Sequence, residues 1–160
     1  MRVAAAVLSI LILGLLAGCG GGDDGSDPVA FKKEANEVCV KANTEAGATL
    51  LDTYASAQFK NSSSTQRTLQ LEEEVIVPIL VKNAKAQFDG ISALDAPSEG
   101  GEEVEAILKS YETWIKKAKA EPDKIVAEND IYNEARKLAK KYGLAKCGQT
   151  PYDSPYTTPS

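Results

Sequence analysis

Hydrophobic residues recur along the chain three, four or seven residues apart, a spacing that predicts helices which each bury one face. The first helix is predicted from Pro28 to near Phe59, with Asp27 as its N-cap. Its buried positions are expected to be Phe31, Ala35, Val38, Ala42, Ala46, Leu50 and Ala57. The second helix is predicted from about Thr65 towards Leu94. It carries two neighbouring stripes, one of Leu69, Ile76, Leu80, Ala84, Phe88 and Ile91 and one of Leu71, Val75 and Ile79.

The same spacing continues in the second half of the chain. After the loop 95–101, a third helix is expected to bury Val104, Ile107, Leu108, Tyr111, Ile115 and Ala118. A fourth helical stretch runs to a stop at Gly143-Leu144 through Ile125, Val126, Ile131, Ala135, Leu138 and Tyr142. Residues 122–130 are compatible with either a helix or a loop. No stretch shows a convincing strand pattern, so the sequence predicts an all-α fold.

Two residues interrupt these patterns. Pro78 has no N–H for the carbonyl of Glu74, so it predicts a kink in the second helix. A ligand or a water at the freed carbonyl is the less common alternative. Gly47 weakens the middle of the first helix and could mark a bend.

Four helical segments joined by short turns favour an up-down four-helix bundle that spans residues 28–147. From residue 148 to residue 160 the chain is rich in proline, threonine and serine. This composition predicts a disordered tail.

Ahead of the bundle, Arg2 precedes an uncharged, mostly apolar run from Val3 to Leu16. The run is shorter than the roughly 20 residues of a membrane-spanning helix. It leads into Leu16-Ala17-Gly18-Cys19, which resembles a bacterial lipobox. The resemblance implies a lipoprotein signal peptide at 1–18, and a lipidated Cys19 followed by a flexible tether at 19–27. The domain would then be anchored on the extracytoplasmic face of the cell membrane. An ordinary secretory signal, with Cys19 as a stray thiol, is the weaker alternative.

Lipidation of Cys19 leaves Cys39 and Cys147 as an even pair in a compartment that permits disulfides. In an up-down bundle with an even number of helices, the end of the last helix returns beside the start of the first. We therefore expect Cys39 and Cys147 to be bonded to each other, with their Cα atoms within about 7 Å. Two buried free thiols are the alternative.

The amino-acid composition argues against several classes of function. The chain has 18 basic and 23 acidic residues, a net charge of −5, and loss of Arg2 with the signal would make it one unit more negative. This balance argues against nucleic-acid binding and against docking on anionic lipid through a basic patch. Histidine is absent, which removes Ser–His and Cys–His mechanisms and the commonest transition-metal ligand. No cofactor and no metal are expected.

Two segments around the cysteines carry a further resemblance. Phe31–Asn43 contains Ala35-Asn36-Glu37-Val38-Cys39, and the last helix leads into Tyr142-Gly143-Leu144-Ala145-Lys146-Cys147-Gly148. Both resemble segments of small secreted lipoproteins of actinobacteria. The resemblance implies an all-helical extracytoplasmic domain, and it implies no reaction and no catalytic residue.

The acidic clusters and the single tryptophan have ordinary structural interpretations. Glu72-Glu73-Glu74 is typical of a solvated helix face, because consecutive helical residues point in different directions. The acids at 99–105 suit the start of a helix better than a weak calcium site. Trp114 lies beside the third helical stripe and favours a core or stripe-edge position over a ligand platform.

Three functions remain, and we rank them in the following order. The first is a non-catalytic, membrane-anchored domain that binds a protein or a cell-envelope component. The second is a carrier or sensor that holds a small apolar ligand in the bundle core. The third is a hydrolase that uses carboxylates. A cavity beside Pro78 and Trp114 would favour the carrier, and two convergent acids with raised pKa would favour the hydrolase.

Overall fold

The computed structural model describes residues 25–61 and 64–153 and shows an all-α bundle. Its main helices are α1 (Pro28–Ala55), α4 (Val77–Ser92), α5 (Gly101–Ala120) and α7 (Asn133–Tyr142). Shorter elements join them: α2 (Ala57–Lys60), α3 (Thr65–Leu71), a π-helical turn (Glu72–Ile76), α6 (Pro122–Glu128) and a 3₁₀ turn (Pro151–Asp153). No helix in the described part of the chain is long and apolar enough to cross a membrane.

Helix α1 begins as the sequence predicts. The side chain of Asp27 accepts a hydrogen bond from the backbone N–H of Val29 at 2.9 Å, and Pro28 occupies the first turn, where its missing N–H costs nothing. The helix continues without a break through Gly47 to Ala55. Its buried face consists of Phe31, Ala35, Cys39, Ala42, Asn43, Ala46, Gly47 and Leu50.

The second helical stretch contains a π turn immediately before Pro78. The N–H of Val77 donates to the carbonyl of Glu72, five residues earlier, instead of four. The extra residue shifts the buried face, so the two buried residues Leu71 and Ile76 are five positions apart instead of three or four. Leu69, which the regular spacing placed on the buried stripe, is instead 44% exposed. The helix thus adapts to Pro78 by a π turn.

Because Pro78 is exposed and a π turn precedes it, Pro78→Ala should be close to neutral or mildly stabilising. The thermal midpoint of the variant, measured by circular dichroism, tests this expectation. A midpoint lowered by more than about 5 °C, roughly 1 kcal/mol for a domain of this size, would show that the proline supports the fold.

The sequence left residues 122–130 as either a helix or a loop, and the structure resolves this choice. Residues 122–128 form α6, and the carboxylate of Asp130 accepts from the N–H of Asn133 at the start of α7. Gly143 caps the C-terminus of α7, and its φ of 103° is one that only glycine adopts easily. The N–H of Leu144 then donates to the carbonyl of Ala139 at 2.8 Å, which is the helix stop predicted from Gly143-Leu144.

The helices pack in the order α1, α4, α5, α7, each against the next. The disulfide between Cys39 and Cys147 closes this arrangement by joining α1 to the segment that follows α7. The predictions of an all-α up-down bundle and of this disulfide are therefore confirmed.

The structure corrects the predicted boundaries at the two ends of the bundle domain. Residues Gly148–Asp153 were assigned to a disordered tail, yet Gly148, Thr150 and Pro151 are buried and the segment packs on α1. The N–H and hydroxyl of Thr150 both donate to the carboxylate of Asp153, at 2.7 and 2.9 Å. Tertiary contacts thus order a segment whose composition alone resembles a linker.

At the other end, the predicted flexible tether at 19–27 is too long: Ser26 is hydrogen-bonded to the loop between α4 and α5, and Asp27 caps α1. The predicted signal peptide at 1–18 and Cys19 lie outside the described residues, as does the predicted tail at 154–160.

Candidate functional site: a buried polar cluster and its surrounding grooves

A cluster of polar side chains is buried within the apolar core of the bundle. Its five members come from α1, α4, α5 and the turn before α7, and form what we call the amide–tyrosine cluster: Asn43, Asn83, Gln87, Tyr111 and Tyr132. Each of them is at most 5% exposed. Among these residues the sequence pattern had placed only Tyr111 in the core, because the stripes were drawn through apolar positions. The spacing of Asn83 and Gln87, one helical turn apart around the buried Ala84, was the available signal.

The three amides form a closed triangle of hydrogen bonds. Gln87 Nε2 donates to Asn43 Oδ1 at 3.0 Å and to Asn83 Oδ1 at 2.9 Å. Asn83 Nδ2 donates to Asn43 Oδ1 at 3.2 Å. Since Asn43 lies on α1 and the other two lie on α4, the triangle fixes the register between these helices.

Two tyrosine hydroxyls complete the cluster. Tyr111 donates to Gln87 Oε1 at 2.6 Å, and Tyr132 donates to Asn83 Oδ1 at 2.8 Å. Burial raises the pKa of Tyr111 above its usual value. The pKa of Tyr132 is raised as well, first by burial and then by the neighbouring Tyr111. Both hydroxyls therefore stay neutral at physiological pH and act as hydrogen-bond donors in the packing of the core.

The cluster also holds the segment that follows α7. Asn43 Nδ2 donates to the carbonyls of Lys146 and Gln149, at 3.3 and 3.4 Å. Two helical turns earlier on α1, Asn36 Oδ1 accepts from the N–H of Lys146 at 2.8 Å. Between these anchors Cys147 is bonded to Cys39, with a Cα–Cα distance of 5.0 Å and both residues fully buried. The end of the domain is thus tied to α1 by a covalent bond and by side-chain amides.

A groove of about 290 Å³ opens beside Trp114, between α5 and the turn that leads into α7. Trp114 is 5% exposed, donates its indole N–H to the carbonyl of Asp130 at 2.8 Å and packs edge-on against Tyr132. The tryptophan is therefore a core residue, as the pattern favoured. Tyr132 itself adopts a φ of 40°, a left-handed conformation that is strained for a bulky residue and that aims its ring into the core.

A larger groove of about 570 Å³ lies at the opposite end of α5, where the chain enters the bundle. Its lining residues are Pro28, Lys32, Glu99, Gly100, Glu102, Glu103, Ala106, Leu138, Lys141 and Tyr142. Gly100 has a φ of 81°, and a Cβ atom there would lie 2.5 Å from the ring of Tyr142. The glycine therefore permits both the backbone turn and the approach of the tyrosine.

The predicted acidic clusters do not converge. Glu72, Glu73 and Glu74 lie in the π turn, where Glu74 accepts from the side chain of Gln70. Glu102 and Glu103 occupy the first turn of α5, as expected of a helix start, and line the larger groove. Within residues 25–61 and 64–153, no group of three or more acidic or cysteine side chains is arranged to hold a metal ion.

Comparisons with protein families, with curated proteins and with solved structures found no match to this chain.

Proposed function

We propose that this protein is an extracytoplasmic lipoprotein, anchored through lipid on Cys19, whose helical domain binds a protein or a cell-envelope component and catalyses no reaction. The observation that carries the proposal is the contrast between the interior and the surface. The interior is an apolar core that surrounds the buried disulfide and the hydrogen-bonded amide–tyrosine cluster. The grooves beside Trp114 and Tyr142 open on the surface.

Two further features support the proposed location. The apolar run that leads into Leu16-Ala17-Gly18-Cys19 resembles a lipobox, and a buried disulfide suits a compartment outside the cytosol. Two acyl chains on one cysteine give stable membrane attachment without any basic patch.

A carrier or sensor for a small apolar ligand is the second candidate. The groove beside Trp114 favours it, because the buried faces of Trp114, Tyr132 and Ala135 line its floor. Pro78, in contrast, is exposed and lines none of the grooves described above. We rank this candidate below surface binding because the groove opens on the surface and is not enclosed in the core.

Cys19→Ala tests the anchor. Expressed in its host, the wild-type protein should partition into detergent, whereas the variant should be released or should stall as an unprocessed precursor. Mass spectrometry of the N-terminal peptide provides the direct measurement. An unmodified wild-type peptide, cut at another position, would contradict lipidation.

Affinity capture tests the binding function. The lipidated protein is used to capture partners from native envelope, and bound small molecules are analysed by mass spectrometry. A reproducible envelope protein or polymer supports the first candidate. A stoichiometric apolar small molecule, lost on Thr113→Trp at an exposed position that lines the groove beside Trp114, would favour the carrier.

A further inference from the structure

The chain is clamped to the bundle just before α1. Ser26 donates its N–H to the carbonyl of Ala96 at 2.8 Å and accepts from the N–H of Ser98 at 2.9 Å. Its hydroxyl donates to the carbonyl of Asp95, also at 2.9 Å. Gly25 lies so close to this loop that a Cβ atom would be 2.5 Å from the backbone nitrogen of Ser98. The point where the chain leaves the bundle is therefore fixed against the loop between α4 and α5.

The clamp limits how far the bundle can lie from a lipid on Cys19. Six residue steps separate Cys19 from Gly25, and a fully extended chain of that length spans about 20 Å. Helix α1, with 28 residues, is about 42 Å long. A lipid on Cys19 would therefore keep the end of the bundle at the start of α1 near the bilayer, whereas the turn around Asn61 lies beyond the opposite end of α1. We call the near end the tether face.

The larger groove opens on the tether face and carries charges of both signs. Lys32 on α1 and Lys141 on α7 line it together with Glu99, Glu102 and Glu103, which belong to the loop and the first turn of α5. In the described part of the chain, none of these five side chains forms an ion pair. The Lys32 ammonium lies 4.6 Å from the centre of the Tyr142 ring, which fixes one wall of the groove.

The tether face also exposes an apolar side chain. Val29, in the first turn of α1, is 75% exposed and is the most exposed large hydrophobic residue of the described part. A valine beside a charged groove, at the end nearest the lipid, fits contact with the interfacial region of a bilayer.

We propose that the tether face docks on the membrane and that its groove receives phosphoethanolamine headgroups of the bilayer. The inference rests on the proposed lipidation of Cys19. The headgroup carries a phosphate, which the two lysines attract, and a primary ammonium, which can donate hydrogen bonds to the three carboxylates. A phosphocholine headgroup has no N–H to donate, and an anionic phosphoglycerol headgroup would meet the three carboxylates without a compensating cation.

The test uses the lipidated full-length protein in vesicles that contain a nitroxide-labelled lipid. A fluorophore is attached to Val29→Cys on the tether face or to Asn61→Cys on the far side; both native positions are exposed. Because Cys19 carries lipid and Cys39 is bonded to Cys147, each variant offers a single free thiol. Vesicles of phosphatidylethanolamine mixed with phosphatidylcholine are compared with pure phosphatidylcholine and with phosphatidylglycerol mixtures.

Fluorescence at position 29 should be strongly quenched in phosphatidylethanolamine vesicles and clearly less so in the other two, while position 61 stays unquenched in all three. Proximity through the tether alone would give the same quenching in every vesicle type. Lys141→Glu should abolish the preference for phosphatidylethanolamine. Lys119→Glu, an exposed lysine on α5 that does not line the groove, should preserve it.

The outcomes separate the two proposals. Protein that attaches to vesicles but shows equal quenching at positions 29 and 61, or no dependence on the headgroup, overturns the docking proposal and leaves lipidation intact. Protein that fails to attach overturns lipidation and the docking proposal with it. Retained helix content and an intact disulfide in each variant exclude unfolding as the cause.

Discussion

Removing the disulfide by Cys39→Ala together with Cys147→Ala is expected to lower the free energy of unfolding by about 2 to 5 kcal/mol. The bond joins residues 108 positions apart, so its loss frees a long loop in the unfolded chain. Alanine is preferred to serine here because both sites are fully buried and a buried hydroxyl adds a desolvation cost of its own. Urea unfolding followed by circular dichroism measures the change.

The helix content of this double variant should match that of the wild type in the absence of urea, because the bond acts mainly on the unfolded state. As a control for the lost sulfur atoms, the wild-type protein is unfolded, reduced and refolded under reducing conditions, and it should show a similar loss. A reductant added to the folded protein should leave the bond intact, since neither cysteine is exposed. A loss below about 1 kcal/mol in both preparations would contradict the expected role of the bond.

Asn43→Leu is expected to lower the free energy of unfolding by about 3 kcal/mol or more. The asparagine accepts from Asn83 and Gln87 and donates to two backbone carbonyls, and leucine satisfies none of these groups. Each buried polar group that loses its partner costs about 1 to 3 kcal/mol. The loss should also loosen the segment around Cys147, and hydrogen exchange should show faster exchange at Lys146–Thr150 than in the wild type.

Asn61→Leu provides the matched control, because it makes the same chemical change at an exposed turn position. Its effect should stay within about 0.5 kcal/mol. Tyr111→Phe removes one hydroxyl from the cluster, and its loss of unfolding free energy should lie between those of Asn43→Leu and Asn61→Leu. If Asn43→Leu were as mild as Asn61→Leu, the cluster would not be important for stability.

The main helices could be predicted because apolar residues recur along them at the helical period and because local signals mark the first start and the last stop. Asp27 and Pro28 start α1, Gly143 and Leu144 stop α7, and between them apolar residues recur at the helical period. The disulfide followed from the up-down order, since four antiparallel segments return the chain end to its beginning. These features depend on residues that are close in sequence and on the number of helices.

Other features could not be predicted from the sequence because they depend on contacts with residues that are far away in the chain. The register shift at the π turn depends on what α4 packs against, so Leu69 is exposed although its spacing predicts burial, while Leu71 stays in the core. Residues Gly148–Asp153 are ordered by partners such as Asn43 and Arg136. Nothing in their own composition distinguishes them from a linker.

The sequence by itself determined the all-α class, the start of α1, the stop after α7 and the pairing of Cys39 with Cys147, because capping, periodicity and chain order are local or combinatorial properties. Only the tertiary structure decided that five polar side chains are buried together in the core, that Ser26 is clamped beside Pro97, and that Lys32, Glu103 and Lys141 share one groove. The physical reason is that a buried amide needs hydrogen-bond partners, which other helices supply here, and that a groove is formed by elements that lie far apart in the chain.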